Sequence, residues 1–240
     1  MGGTTHRRNS ARPLCDHKVR ACHRPNGRTR ACPVNQPQPA RWIAASFGLA
    51  LALAAAVLTL AGTDANSTRL ALRLTARWSF LLFWTAYTAG AIATLFGPAW
   101  TTLARRGPEF GLAFAAAHLV HIGLVLWLYA LLSRPPLSGP PLVFFTVALA
   151  WTYLLAALSF GALSETPGPS LWCLLRLLGL NTILLAFAYD FVPAAIHAIT
   201  HQQLWHAAEY VPFAALSLAA PLLTLAAAAR RHRRPRHLPA

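Results

Sequence analysis

Phe110–Leu132 reads FGLAFAAAHLVHIGLVLWLYALL, a stretch without a lysine, arginine, aspartate or glutamate. A hydrocarbon core about 30 Å thick is crossed by about 20 apolar residues in a helix, so this segment is long enough to span a bilayer. No water is available there to satisfy backbone amides, which must therefore bond within their own segment, and the helix does this. Five further runs are apolar and of similar length, Trp42–Gly62, Trp78–Phe96, Pro141–Phe160, Leu171–Ala195 and Tyr210–Ala229, and of these Leu171–Ala195 alone carries charged residues, Arg176 and Asp190. None shows the alternation over about ten residues that marks a membrane β-barrel strand. The sequence predicts an all-α membrane protein, a polytopic bundle of six transmembrane helices over residues 42–229. A disordered basic segment, 1–41, precedes it and a basic cytoplasmic tail, 230–240, follows.

The first run has a basic region before it, as a signal peptide would. A signal core is about 7–15 residues long, and this run is longer, with no clear small-residue cleavage site. An uncleaved span is expected, and cleavage would leave five spans in the same orientation.

A net charge of +15 raises the question of nucleic acid, and the distribution of the charge answers it. Nine of the 21 basic residues precede Trp42 and five follow Ala229, so they flank the spans. Basic clusters in that position orient membrane helices and meet anionic headgroups. With six spans, one side of the membrane carries both ends of the chain and Arg105-Arg106. The other side carries only Arg69, Arg73, Arg77 and Arg134. The excess of positive charge predicts both termini in the cytoplasm, and its position flanking the spans argues against a nucleic-acid partner. Arg69, Arg73 and Arg77 recur every four residues, on one helical face, and are expected to snorkel at the outer interface.

Residues 1–41 are rich in Arg, Pro and polar side chains and lack apolar periodicity, so no packed structure is expected. Cys15, Cys22 and Cys32 lie here beside His17 and His23, but at gaps wider than the two to four residues usual in structural zinc sites. Met1 is the only methionine and arginine outnumbers lysine twenty to one. A translation start downstream, at a codon such as that of Val34, is the alternative origin of this segment.

Chemistry is expected at polar groups within the spans, because ionisable residues at membrane depth are costly and mark ligand, proton or electron paths. His118 and His121 lie near the middle of the third run, on one helical stripe, and differ in height by about 4.5 Å. Neutral imidazole ligates transition metals and haem iron, which makes the pair a candidate cofactor site. The competing account is helix packing, with Thr85, Thr88, Thr146 or Thr152 as hydrogen-bond partners. Both histidines project from one face, so they cannot hold opposite sides of one porphyrin. A second axial ligand has to come from another helix or subunit.

Arg176 lies about one turn inside the fifth run, where it can snorkel to the headgroups or meet a haem propionate or a quinone headgroup. Asn181, deeper, is expected to bond a neighbouring helix, and Asp190 to lie near the outer boundary. His197, His201 and His206 follow Pro193 and read as a polar loop outside the membrane, with a weak metal site as the alternative.

The stretch Thr102–Tyr129, TLARRGPEFGLAFAAAHLVHIGLVLWLY, resembles the ferric reductase-like transmembrane domain family. The shared pattern is an Arg-Arg pair in a cytoplasmic loop, then Gly-Leu, small and aromatic residues, and a mid-span histidine. The resemblance implies a membrane subunit that binds haem b and transfers electrons, with His118 as axial ligand and metal donor. It further implies His121 as neighbour or alternative ligand, Arg176 at a propionate, and a quinone or a separate reductase subunit as partner. The chain departs from the family at the span beginning Leu171-Trp172, which has no histidine; Arg176 and Tyr189 stand about where histidines belong. The alternative is a haem-free membrane protein with a structural, assembly or interaction role. No phosphate-binding glycine loop, nucleophile elbow or paired catalytic carboxylates occur. No flavin or nicotinamide domain fits this length, so any redox activity needs separate electron partners.

Overall fold

The computed structural model describes residues 39–132, 137–159 and 168–233. The zinc candidates Cys15, Cys22, Cys32, His17 and His23 lie outside them, as does most of the basic segment. Long helices run in the order α1 (Pro39–Ala61), α2 (Ala65–Phe96), α4 (Gly107–Leu131), α5 (Pro140–Leu158), α6 (Pro169–Thr200) and α7 (Leu204–Arg233). A 3₁₀ turn at Pro98–Trp100 and the short α3 (Thr101–Arg105) join α2 to α4. All six long helices are of a length and hydropathy that cross a membrane. Large apolar side chains are exposed along them, including Leu60, Leu126, Leu185, Leu222 and Leu225. Lipid tails solvate such residues as well as other leucines do, so this exposure fits a bundle surrounded by a bilayer.

α2 is the central helix and packs against α1, α4 and α7. It begins thirteen residues before the apolar run that announced it, because Asp64 caps it: a carboxylate oxygen accepts from the Ser67 N–H at 2.7 Å. Arg69, Arg73 and Arg77 are therefore on a spanning helix rather than in a loop. Phe80 and Phe83 are almost fully enclosed. Phe80 meets Phe187, Phe191 and Phe213, so one aromatic cluster ties α2 to α6 and α7. Edge contacts of this kind add about 0.5–1.5 kcal/mol each beyond area burial.

α6 passes through Pro193 without ending, extending five residues past the apolar run. Proline is tolerated in spanning helices where neighbours or local adjustments satisfy the freed carbonyl. The packing of α5 on α6 depends on Gly179, where a Cβ would lie 2.7 Å from Leu155 Cδ1 and 2.8 Å from Trp151 Cε3. Small residues permit such close approach between membrane helices.

Candidate functional site

His118 and His121 project from α4 as their spacing requires, with rings 5.2 Å apart and 15° from parallel. Their environments differ. His121 Nδ1 lies 3.2 Å from Thr75 Oγ1 on α2. The Thr75 hydroxyl is also 2.9 Å from the Ala71 carbonyl. When its proton goes to that carbonyl, the threonine oxygen accepts from Nδ1–H, which makes Nε2 the unprotonated nitrogen of a neutral His121 ring. His118 Nδ1 is buried and has no hydrogen-bond partner among the described residues. Its ring lies 5.4 Å from Phe114 and 6.4 Å from Phe187, between α4 and α6. Ser79 Oγ, one turn along α2 from Thr75, is likewise buried and unpartnered.

The expected threonine partners do not serve the imidazoles. Thr85, Thr88, Thr146 and Thr152 each donate to the carbonyl four residues earlier on their own helix. Thr75 precedes the apolar run beginning at Trp78, where hydropathy gives no sign of a spanning helix. The available signal was the stripe Thr68, Thr75 and Ser79, all fully enclosed, on a face distinct from the one that carries the arginines.

Arg176 is not beside the histidines. It lines a cavity of about 220 Å³ between α2, the start of α4, the end of α5 and the first half of α6. Neither imidazole lines this cavity. Phe114 does, and its ring also meets that of His118, so it stands between the two places. Asn181 does bond a neighbouring helix, accepting from the Tyr87 hydroxyl at 3.0 Å.

Arg77 departs from the snorkelling expected of it. Its guanidinium lies 3.3 Å from Glu209 Oε2 on α7 and over the rings of Tyr210 and Phe213, at 5.3 and 5.6 Å. Asp190 is within its electrostatic reach. His206 approaches the same Glu209 oxygen at 3.6 Å. His197 is helical rather than in a loop, and its ring lies 4.2 Å from that of His201. Among the described residues no three His, Cys, Asp or Glu side chains converge as a metal site.

Chemically, the bundle offers one unsatisfied imidazole beside one held imidazole, and apart from them a cationic cavity. No family model, no curated protein and no solved structure matches the chain.

Proposed function

We propose that this protein is a membrane subunit that holds haem b through His118 and carries electrons across the bilayer to a separate redox partner. The observation behind the reading is the buried Nδ1 of His118, which meets no hydrogen-bond partner among the described residues. A buried polar atom left unpaired costs about 1–3 kcal/mol, so a neutral imidazole there is a ready donor for a metal ion. His118 would supply one nitrogen donor to the iron, with His121 as its neighbour. Haem b bound there would supply a one-electron carrier within the low-dielectric interior. The chain's own residues position and protect the site. Thr75 holds His121 by a hydrogen bond to its ring, as outer partners commonly do for ligating histidines. Phe83, Phe114 and Phe187, mutually in contact, form a water-excluding wall beside His118. Arg176 belongs to the separate cavity and is left out of this donor set.

A haem-free structural or assembly role is favoured by a different observation. The rings of Phe114, Phe187 and His121 already surround His118, and the cavity does not reach either imidazole. Absorption spectra of protein purified from haem-supplemented cells separate the two. The electron-transfer reading expects a Soret band that His118→Ala abolishes and His121→Ala shifts or weakens. Wild-type protein without the band would leave the haem-free role in its place.

The proposed setting is the bacterial inner membrane, with both termini and Arg105-Arg106 in the cytoplasm and a quinol or reductase subunit as electron donor. Its support is the charge bias across the six spans. Reporter fusions after Arg106 and after Ala240 should both score as cytoplasmic; a periplasmic score at either point overturns this orientation.

A further inference from the structure

We propose that the Arg176 cavity binds the anionic headgroup of an acyl-chain amphiphile, at a site distinct from the histidine pair. Its walls are largely apolar, formed by Phe83, Phe114, Leu155, Trp172, Leu180 and Ile183 among others, and contain no carboxylate among the described residues. Among the described residues Arg176 is the single cation in the wall, and it makes no ion pair with any of them. The wall hydroxyls of Thr152 and Ser159 already donate to the carbonyls of Ala148 and Leu155, which leaves the guanidinium as the strong free donor. Gly107 and Pro108 also line the space, so the positive end of the 25-residue helix α4 opens onto it.

These features select the ligand by charge and size. An arginine held among apolar side chains is costly without an anion, and its planar fork pairs with carboxylate or phosphate through two hydrogen bonds. A neutral quinone ring would leave that charge uncompensated. At roughly 30 Å³ per water, about 220 Å³ holds the equivalent of some seven waters. That volume suits a headgroup with its first carbons and is too small for a whole lipid. The cavity is not closed, and nearby Leu154 and Leu177 are exposed on the bundle surface, where a tail can lie among lipid chains. The ligand comes either from the bilayer, as an anionic lipid, or from solution, as a free amphiphile with the same headgroup chemistry.

The test uses the full chain in a neutral detergent, with dodecyl phosphate and dodecanol as matched probes. Native mass spectrometry and thermal unfolding should report one bound dodecyl phosphate that raises the midpoint, and no comparable effect of dodecanol. Arg176→Leu should weaken binding about tenfold or more, as expected for loss of a charge-assisted pair. Gly111→Leu keeps the arginine but fills the space, and the glycine has nothing within 4 Å of an added Cβ, so this variant should fold and also lose binding. Nanodiscs made with phosphatidylglycerol or phosphatidylcholine distinguish the sources. Phosphatidylglycerol kept through purification identifies a bilayer lipid, whereas dodecyl phosphate binding without retained lipid identifies a free amphiphile. Equal binding of dodecanol, no binding at all, or binding that survives both substitutions overturns the proposal. The Soret measurement is independent of each of these outcomes, so failure of the haem reading and failure of this site are distinguishable.

Discussion

Arg77 and Arg176 both sit on spanning helices, and their surroundings are opposite. Arg77 is 14% exposed, paired with Glu209 at 3.3 Å and covered by two aromatic rings. Arg176 borders a cavity and has no anionic partner among the described residues. The same side chain therefore does two jobs. At Arg77 the charge is neutralised within the protein and fixes how α2 meets α7. At Arg176 no described residue supplies the counter-charge, which is the basis for proposing a ligand there. An intramembrane arginine is informative only once its counter-ion is known, because the desolvation cost is met in the first case and open in the second.

The comparison is broken or sharpened most strongly at Arg77. Arg77→Leu leaves the Glu209 carboxylate without its cation and should cost about 3 kcal/mol, the range for breaking an enclosed ion pair from one side. Denaturant unfolding in mixed micelles measures this, and adding Glu209→Leu should recover most of the loss. Equal stability of wild type and the single variant would show that the pair does not hold α2 to α7.

Arg176→Leu should behave differently. It orphans no partner and removes a poorly solvated charge, so stability should stay within about 1 kcal/mol of wild type or rise. Only amphiphile binding should fall. A loss as large as that of Arg77→Leu would mean that Arg176 has a protein partner after all, and the contrast would fail.

Thr75→Val tests the held imidazole against the unheld one. Hydrogen bonds between membrane helices average about 0.6 kcal/mol, so the cost should be of that order. The ring nitrogen resonances of His121 should move, while those of His118 change little. The reverse pattern would assign the threonine to the wrong histidine.

The smallest effect concerns a charge outside the membrane. The Ser67 backbone N–H, donating to Asp64, holds the Asp64 carboxyl below its ordinary value of about 3.9. A depressed folded-state value means that the cap contributes above the unfolded value and is lost as pH falls through the folded one. The protection of the Ser67 amide, its exchange measured against the intrinsic rate at each pH, should therefore fall below about pH 4, and Asp64→Asn, which keeps a capping oxygen, should remove that dependence. Unchanged protection through that range would mean that the carboxylate is not what holds the first turn.

The six spans and their order were legible in the sequence, since crossing a bilayer requires only length and apolar composition. The shared stripe of His118 and His121 was legible too, because helical spacing alone puts residues three apart on one face. Helix ends were less so: α2 reaches back to Ala65 through a polar cap, and α6 runs on through Pro193 to Thr200. Those residues lie beyond the apolar runs, where hydropathy carries no signal.

Tertiary structure alone decided which polar groups meet. Thr75 rather than Thr85 or Thr88 faces His121, Glu209 finds Arg77 from 132 positions away, and Phe114 separates Arg176 from His118. Each depends on how far one helix is rotated and shifted against the next. A shift of a single residue turns a helical side chain by about 100°, and apolar composition is blind to that rotation.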